Sequence, residues 1–134
     1  MSRFFGRPKG QRVNSAGETL VDPADKMLIA QMREAGEKLS SQTRETTHYL
    51  TFDSQGAARQ AAKLAAAQGF VAEVAAPRDG VDNWAVHAIH TILVGEDTIS
   101  SARRVLAEIA EQTGGVYDGW DTYSDAAIAK IGHN

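Results

Sequence analysis

The order in which helical and strand-like spacing alternate along the chain constrains its fold more than any other feature. After a helical segment that begins at Asp22, the pattern runs strand, helix, strand, strand, helix, strand. Two helices that each connect strands in this order predict a four-stranded antiparallel sheet with both helices on one face. The opposite face of such a sheet is wet, covered by the extra helix or by a second subunit, or used for binding.

The individual segments are recognised by their spacing and by their end signals. Asp22-Pro23 predicts an N-cap followed by proline at the first helical position. The stretch from Thr43 to Asp53 alternates with a period of two, which indicates a strand. The remaining segments are a helix that ends at Gly69, strands over 70–76 and 84–93, a helix over 95–113 and a strand over 116–123. The predicted fold class is therefore α+β, a ferredoxin-like split β-α-β-β-α-β sandwich with an added N-terminal helix.

The first 21 residues differ in composition from the rest of the chain. They are rich in glycine, serine, asparagine and charge, and the first 14 carry four basic residues and no acidic one. We expect residues 1–21 to form a mobile basic arm and residues 22–134 to form a single domain. Because the whole chain carries a net charge of −3, the domain is acidic, which suits a basic partner.

Several functional classes are disfavoured by composition. The chain has no cysteine, which removes disulfides, thiolate catalysis and cysteine-based metal sites. It has no apolar run of about 18 residues that could cross a bilayer, and its N-terminus lacks the apolar stretch of a secretory signal. We therefore expect a soluble cytoplasmic protein that does not associate with membranes.

Candidate metal and catalytic groups do not converge. In a strand, the three-residue separation of His87 from His90 sends the two imidazoles to opposite faces, so they cannot bind one metal ion together. Asp118 and Asp121 have the same separation and are excluded as a metal site for the same reason. His48 and His133 have no evident cluster to join. No nucleophile elbow, phosphate-binding loop or dinucleotide fingerprint is present. The sequence predicts no metal, no cofactor and no enzymatic activity.

The most distinctive motif is the run Gly-Gly-Val-Tyr-Asp-Gly-Trp-Asp over residues 114–121. We expect structural roles for its glycines and for Gly69: Gly69 and Gly114 end helices with a positive φ, whereas Gly115 and Gly119 permit close backbone approach. Tyr117 and Trp120 are three positions apart, so a regular strand would point them to opposite faces. One of the two aromatic rings would then lie on the open side of the sheet, beside acidic residues.

This motif resembles the Gly-Gly-x-Tyr-Asp-Gly-Trp signature of the RraB family, the protein regulators of ribonuclease E activity. Residues 35–39, the strand over 48–52 and the Gln68-Gly69-Phe70 junction with Trp84 after it also fit that family. The resemblance spans about residues 24–122. It implies a ferredoxin-like protein that binds the non-catalytic scaffold of ribonuclease E and lowers RNA turnover, with no chemistry of its own.

The combined interpretation is a ribonuclease inhibitor that docks on its protein partner through the open sheet face or the motif. The residues predicted to bind the partner are Tyr49, Tyr117, Asp118, Trp120 and Asp121. An RNA-binding module that uses the open face and the basic arm is one alternative, for which Tyr49, His87 and Tyr117 would stack on bases. The acidic domain argues against direct nucleic-acid binding. A self-associating structural domain, such as a homodimer, is the other alternative.

Overall fold

A computed structural model describes residues 3–6, 21–78, 80 and 82–131. Nine elements follow one another along these residues. They are β1 (Arg3–Gly6), α1 (Pro23–Glu34), β2 (Arg44–Phe52), α2 (Gln55–Ala67), β3 (Val71–Ala75), β4 (Trp84–Ile92), α3 (Glu96–Thr113), β5 (Val116–Tyr123) and α4 (Asp125–Ile131).

The strands form one antiparallel sheet in the order β1-β5-β2-β4-β3. Strands β2, β3, β4 and β5, with α2 and α3, form the predicted ferredoxin-like β-α-β-β-α-β unit, which confirms the fold class. The additional strand, β1, pairs with β5 and forms one edge of the sheet. It lies within the segment that we expected to be a mobile arm. A strand of four residues is too short to show a period in the sequence. Residues 1, 2 and 7–20 of that predicted arm lie outside the described residues, as does His133.

The main core lies between the sheet and helices α2 and α3. Ala58, Ala61 and Ala65 of α2 are fully buried against the sheet, so this alanine-lined helix approaches the strands closely. Leu106 and Ile109 of α3 complete the layer. Neither α2 nor α3 covers the other side of β2, β4 and β5, which is the open face of the sheet.

Helix α1 extends the same layer and does not cover the open face. Asp22 is its N-cap and accepts a hydrogen bond of 2.8 Å from the backbone N–H of Ala24. Ile29 and Met32 are fully buried with Trp120 in a second apolar cluster, which Val94 and Ile99 complete. Helix α1 is therefore held between the first turn of α3 and the C-terminal part of β5.

Three of the predicted structural glycines, Gly69, Gly114 and Gly115, occupy positions that disfavour any other residue. Gly69 and Gly114 follow α2 and α3 with φ values of 98° and 79°, a region that disfavours other residues. A Cβ on Gly115 would overlap the Phe52 ring and lie 2.6 Å from the Thr51 carbonyl oxygen. The packing against Phe52 and Thr51 therefore leaves no room for a side chain at Gly115.

Buried Arg44 fixes the C-terminal helix α4 to the sheet. Its guanidinium donates to Asp125 at 2.6 Å, to Glu37 at 3.1 Å and to the Tyr123 carbonyl at 2.9 Å. The side chain of Glu37 also accepts from the backbone N–H of Asp125 at 2.7 Å. These bonds join the end of β5, the start of α4 and the loop after α1.

Candidate functional site

A β-bulge determines the direction of the two motif aromatics. Tyr49 pairs with Gly119 and Leu50 pairs with Tyr117, so Asp118 is an extra residue in β5. Because of this extra residue, Tyr117 and Trp120 lie on the same, helix-covered face. The prediction that they point to opposite faces is wrong, and both are buried, with exposed fractions of 7% and 0%.

Trp120 contributes to a buried network of charged and polar groups. Its indole N–H donates to Oδ1 of Asp25 at 2.9 Å. The guanidinium of Arg103, on α3, donates to Oδ2 of Asp25 at 2.7 Å and lies 3.3 Å from Oδ2 of Asp22. The Arg103 guanidinium carbon is also 5.3 Å from the centre of the Tyr117 ring. These contacts give Trp120 and Tyr117 structural roles and tie α1, α3 and β5 together.

A second cluster contains two histidines, of which His48 is buried and His90 is half-buried. Nδ1 of His48 lies 2.8 Å from the Tyr117 hydroxyl, and Nε2 of His48 lies 3.0 Å from Nε2 of His90. Sequence spacing offered His48 no evident cluster to join, whereas the pairing of β2 with β4 and β5 brings its ring beside those of His90 and Tyr117. Sequence spacing alone contains no information about that pairing.

Burial determines the protonation of this cluster. Burial lowers the pKa of His48 well below its usual value, and electrostatic repulsion from protonated His90 and from Arg103 opposes its protonation further. Burial also lowers the pKa of His90 to about 4 and raises the pKa of Tyr117 well above its usual value. All three groups are therefore neutral at pH 7, and the histidine pair provides no positive charge for binding an anion. Among the described residues, no group of three potential ligands is arranged to hold a metal ion.

The open face carries the other predicted residues. The rings of Tyr49 and His87 meet edge to face with their centres 5.0 Å apart, and the Tyr49 hydroxyl donates to Asp121 at 2.7 Å. Asp118, at the bulge, is exposed. The structure therefore brings Tyr49 and Asp121 together and places Asp118 at the surface.

Cross-strand pairing extends this group towards the free edge of the sheet. Glu73 of β3 pairs with His87 of β4, and His87 pairs with Tyr49 of β2. We name Glu73, His87, Tyr49 and Asp121 the open-face row. His87 and Glu73 were not among the predicted partner-binding residues. The period-two alternation of β4 already placed His87 and His90 on opposite faces of the sheet. Only the pairing of β4 with β2 places His87 beside Tyr49.

A groove of about 400 Å³ lies on the helix-covered side, next to the end of β4. Its apolar lining comes from Phe70, Ile92, Ala102 and Val105, and its polar lining includes His90 and Asp97. Strand β3 begins at Val71, opposite Ile89, so His90 and Ile92 have no neighbouring strand on that side. The groove is the space that the short β3 leaves open.

The RraB family model, described as regulator of ribonuclease activity B, matches residues 22–122. The match runs from the N-cap of α1 to the penultimate residue of β5, and so includes the complete ferredoxin-like unit except Tyr123. The comparison with curated proteins gave no match. Within the described residues, no helix is both long enough and apolar enough to cross a membrane.

Proposed function

This chain belongs to the RraB family of regulators of ribonuclease activity, and we propose that it inhibits a nuclease of the ribonuclease E type by docking on the non-catalytic scaffold of that enzyme. Binding occludes a scaffold segment that the nuclease needs for RNA turnover. The regulator itself performs no chemistry and acts in the cytoplasm.

The observation that carries this proposal is the open-face row. An aromatic pair, Tyr49 and His87, lies between two carboxylates, Glu73 and Asp121. Arginine side chains bind such a surface well, because the guanidinium both stacks on aromatic rings and pairs with carboxylates. The chain as a whole is acidic, which also favours a basic segment of the partner.

Two exposed valines add apolar contact area on the same face. Val71 and Val116 are 65% and 62% exposed, and they pair with Ile89 of β4 and Thr51 of β2. Apolar side chains at the margins of an acidic, aromatic surface fit a segment in which basic and apolar residues alternate.

Calorimetric titration of the full chain with the non-catalytic region of ribonuclease E tests the proposal. We expect binding, and we expect Glu73→Lys to weaken it by about tenfold, because Glu73 is an exposed member of the open-face row and the lysine places a like charge against a basic segment. Glu108→Lys makes the same charge change on exposed α3, away from the open face, and is the matched control. Absence of binding by the wild type contradicts the proposed function. Equal binding by all three proteins contradicts the proposed surface.

Direct RNA binding is the alternative that the Tyr49 and His87 rings favour, since exposed rings on a ferredoxin-like sheet can stack on bases. Titration with fluorescent single-stranded RNA separates it from protein binding. Tight binding that weakens steeply with salt would replace the proposed function by RNA binding. A homodimer through the open face is favoured by Val71 and Val116, and light scattering of the wild type tests it.

A further inference from the structure

The two edges of the sheet differ. At one edge, β5 is covered by β1, which pairs with it over four residues. At the other edge, β3 pairs with β4 alone in the described part of the chain. Every second N–H and C=O of β3 therefore points away from the sheet, as in any edge strand.

Strand β3 has one feature that protects an edge from pairing, the charge of Glu73, and is otherwise unprotected. Its sequence is Val-Ala-Glu-Val-Ala, without proline or lysine. Val71 is 65% exposed and Val74 is 38% exposed. The pairing of Glu73 with His87 also brings the open-face row to this edge. An added strand would thus meet unpaired main-chain groups, two apolar side chains and one carboxylate.

The carboxylate distinguishes between possible occupants. If two copies of the chain paired antiparallel through β3, the register that pairs all five residues would place the two Glu73 side chains directly opposite each other. Like charges in that position destabilise a strand pair. A lysine or arginine opposite Glu73 would instead form a cross-strand ion pair. The edge therefore fits a basic extended segment better than a second copy.

The groove lies at the N-terminal end of β3 and supplies a pocket beside this edge. Phe70 immediately precedes β3, and it lines the groove together with Ile92 and Val105. When a peptide adds to a sheet edge, main-chain hydrogen bonds provide affinity and side-chain pockets provide specificity. A groove of about 400 Å³ has room for one large apolar side chain of the peptide.

We propose that the partner segment binds as an added β-strand along β3, with a basic residue opposite Glu73 and an apolar residue in the groove. This proposal rests on the proposed function, of which it specifies the binding mode and the chemistry of the bound segment. The segment is extended, and its basic and apolar residues alternate.

Hydrogen exchange of the isotope-labelled full chain, followed by nuclear magnetic resonance, tests the binding mode. One probe is the non-catalytic region of ribonuclease E, and the second is a short synthetic peptide of alternating lysine and valine. We expect each probe to slow exchange of the outward-pointing amides of β3 by about tenfold or more. N-methylation of one alternate set of peptide amides should abolish this protection, whereas methylation of the other set should not.

Two variants complete the test. Glu73→Lys should weaken binding of both probes by about tenfold, because it replaces the ion pair by repulsion. Glu111→Lys makes the same charge change at an exposed position near the C-terminal end of α3, outside the groove lining, and should bind both probes as the wild type does. Strand addition is refuted if ribonuclease E binds while the β3 amides exchange as in the free protein, or if Glu73→Lys binds normally. If ribonuclease E does not bind at all while the synthetic peptide protects β3, strand addition stands and the proposed function falls. If neither probe protects β3, the inference fails.

Discussion

Asp25→Ala removes the centre of the buried network that holds α1 in place. Asp25 is fully buried and accepts hydrogen bonds from the indole N–H of Trp120 at 2.9 Å and from Arg103 at 2.7 Å. Both donors are themselves buried, so neither gains water in exchange for the lost carboxylate. The substitution therefore leaves a cation and an N–H group partly or wholly without an acceptor.

The expected cost follows from these two groups. Removing one partner of a buried ion pair costs about 3–5 kcal/mol, and leaving a buried N–H without an acceptor costs about 1–3 kcal/mol. Asp22 lies 3.3 Å from the Arg103 guanidinium and retains part of the ion-pair energy. We therefore expect the free energy of unfolding to fall by about 4 kcal/mol, which lowers Tm by about 15 °C for a domain of this size.

Urea unfolding followed by far-ultraviolet circular dichroism measures this loss without depending on the fluorescence of Trp120. Glu34→Ala, at an exposed position of the same helix, is the control, and it should change the free energy of unfolding by less than about 0.5 kcal/mol. A double-mutant cycle of Asp25→Ala with Trp120→Phe should give a coupling energy of about 1–2 kcal/mol. A loss below about 1 kcal/mol, or additive effects in the cycle, would refute the structural role of the network.

Two further predictions concern the core. Gly115→Ala should destabilise the fold by about 2–3 kcal/mol because the new methyl group overlaps the Phe52 ring, whereas Gly56→Ala, with open space around it in α2, should be neutral or stabilising in the same urea assay. The pKa values of His48 and His90 are lowered in the folded state, so the unfolded chain binds more protons than the folded chain below pH 6.5. The free energy of unfolding should therefore decrease as the pH falls from 6.5 to about 4. His90→Gln should reduce the slope of that decline, and an unchanged slope would contradict neutral burial of His90.

The element order was predictable because it depends on local spacing and end signals. The Asp22-Pro23 start of α1 and the Gly114 end of α3 are confirmed by a side-chain cap and by a positive φ. The family could also be predicted from the motif over residues 114–121, and the match of the RraB family model confirms that prediction. The predicted strand limits at 116–123 agree with β5.

The features that were missed depend on pairing between distant strands. The bulge at Asp118 inserts one residue into β5, and its effect on Tyr117 and Trp120 becomes visible only when β5 is aligned with β2. Asp25 and Arg103 look like surface charges in sequence, yet each is buried because the other compensates it. Such compensation joins residues 78 positions apart, beyond the reach of any local pattern.

The burial of the motif separates the residues that carry the family resemblance from the surfaces that we propose to bind the nuclease. Tyr117 and Trp120 serve the interior, where any change of size or polarity is felt by the whole fold. The open-face row and the β3 edge face solvent, where substitutions are tolerated far more readily. During divergence, a descendant of this chain could thus acquire a new client enzyme while its recognisable sequence signature stayed intact.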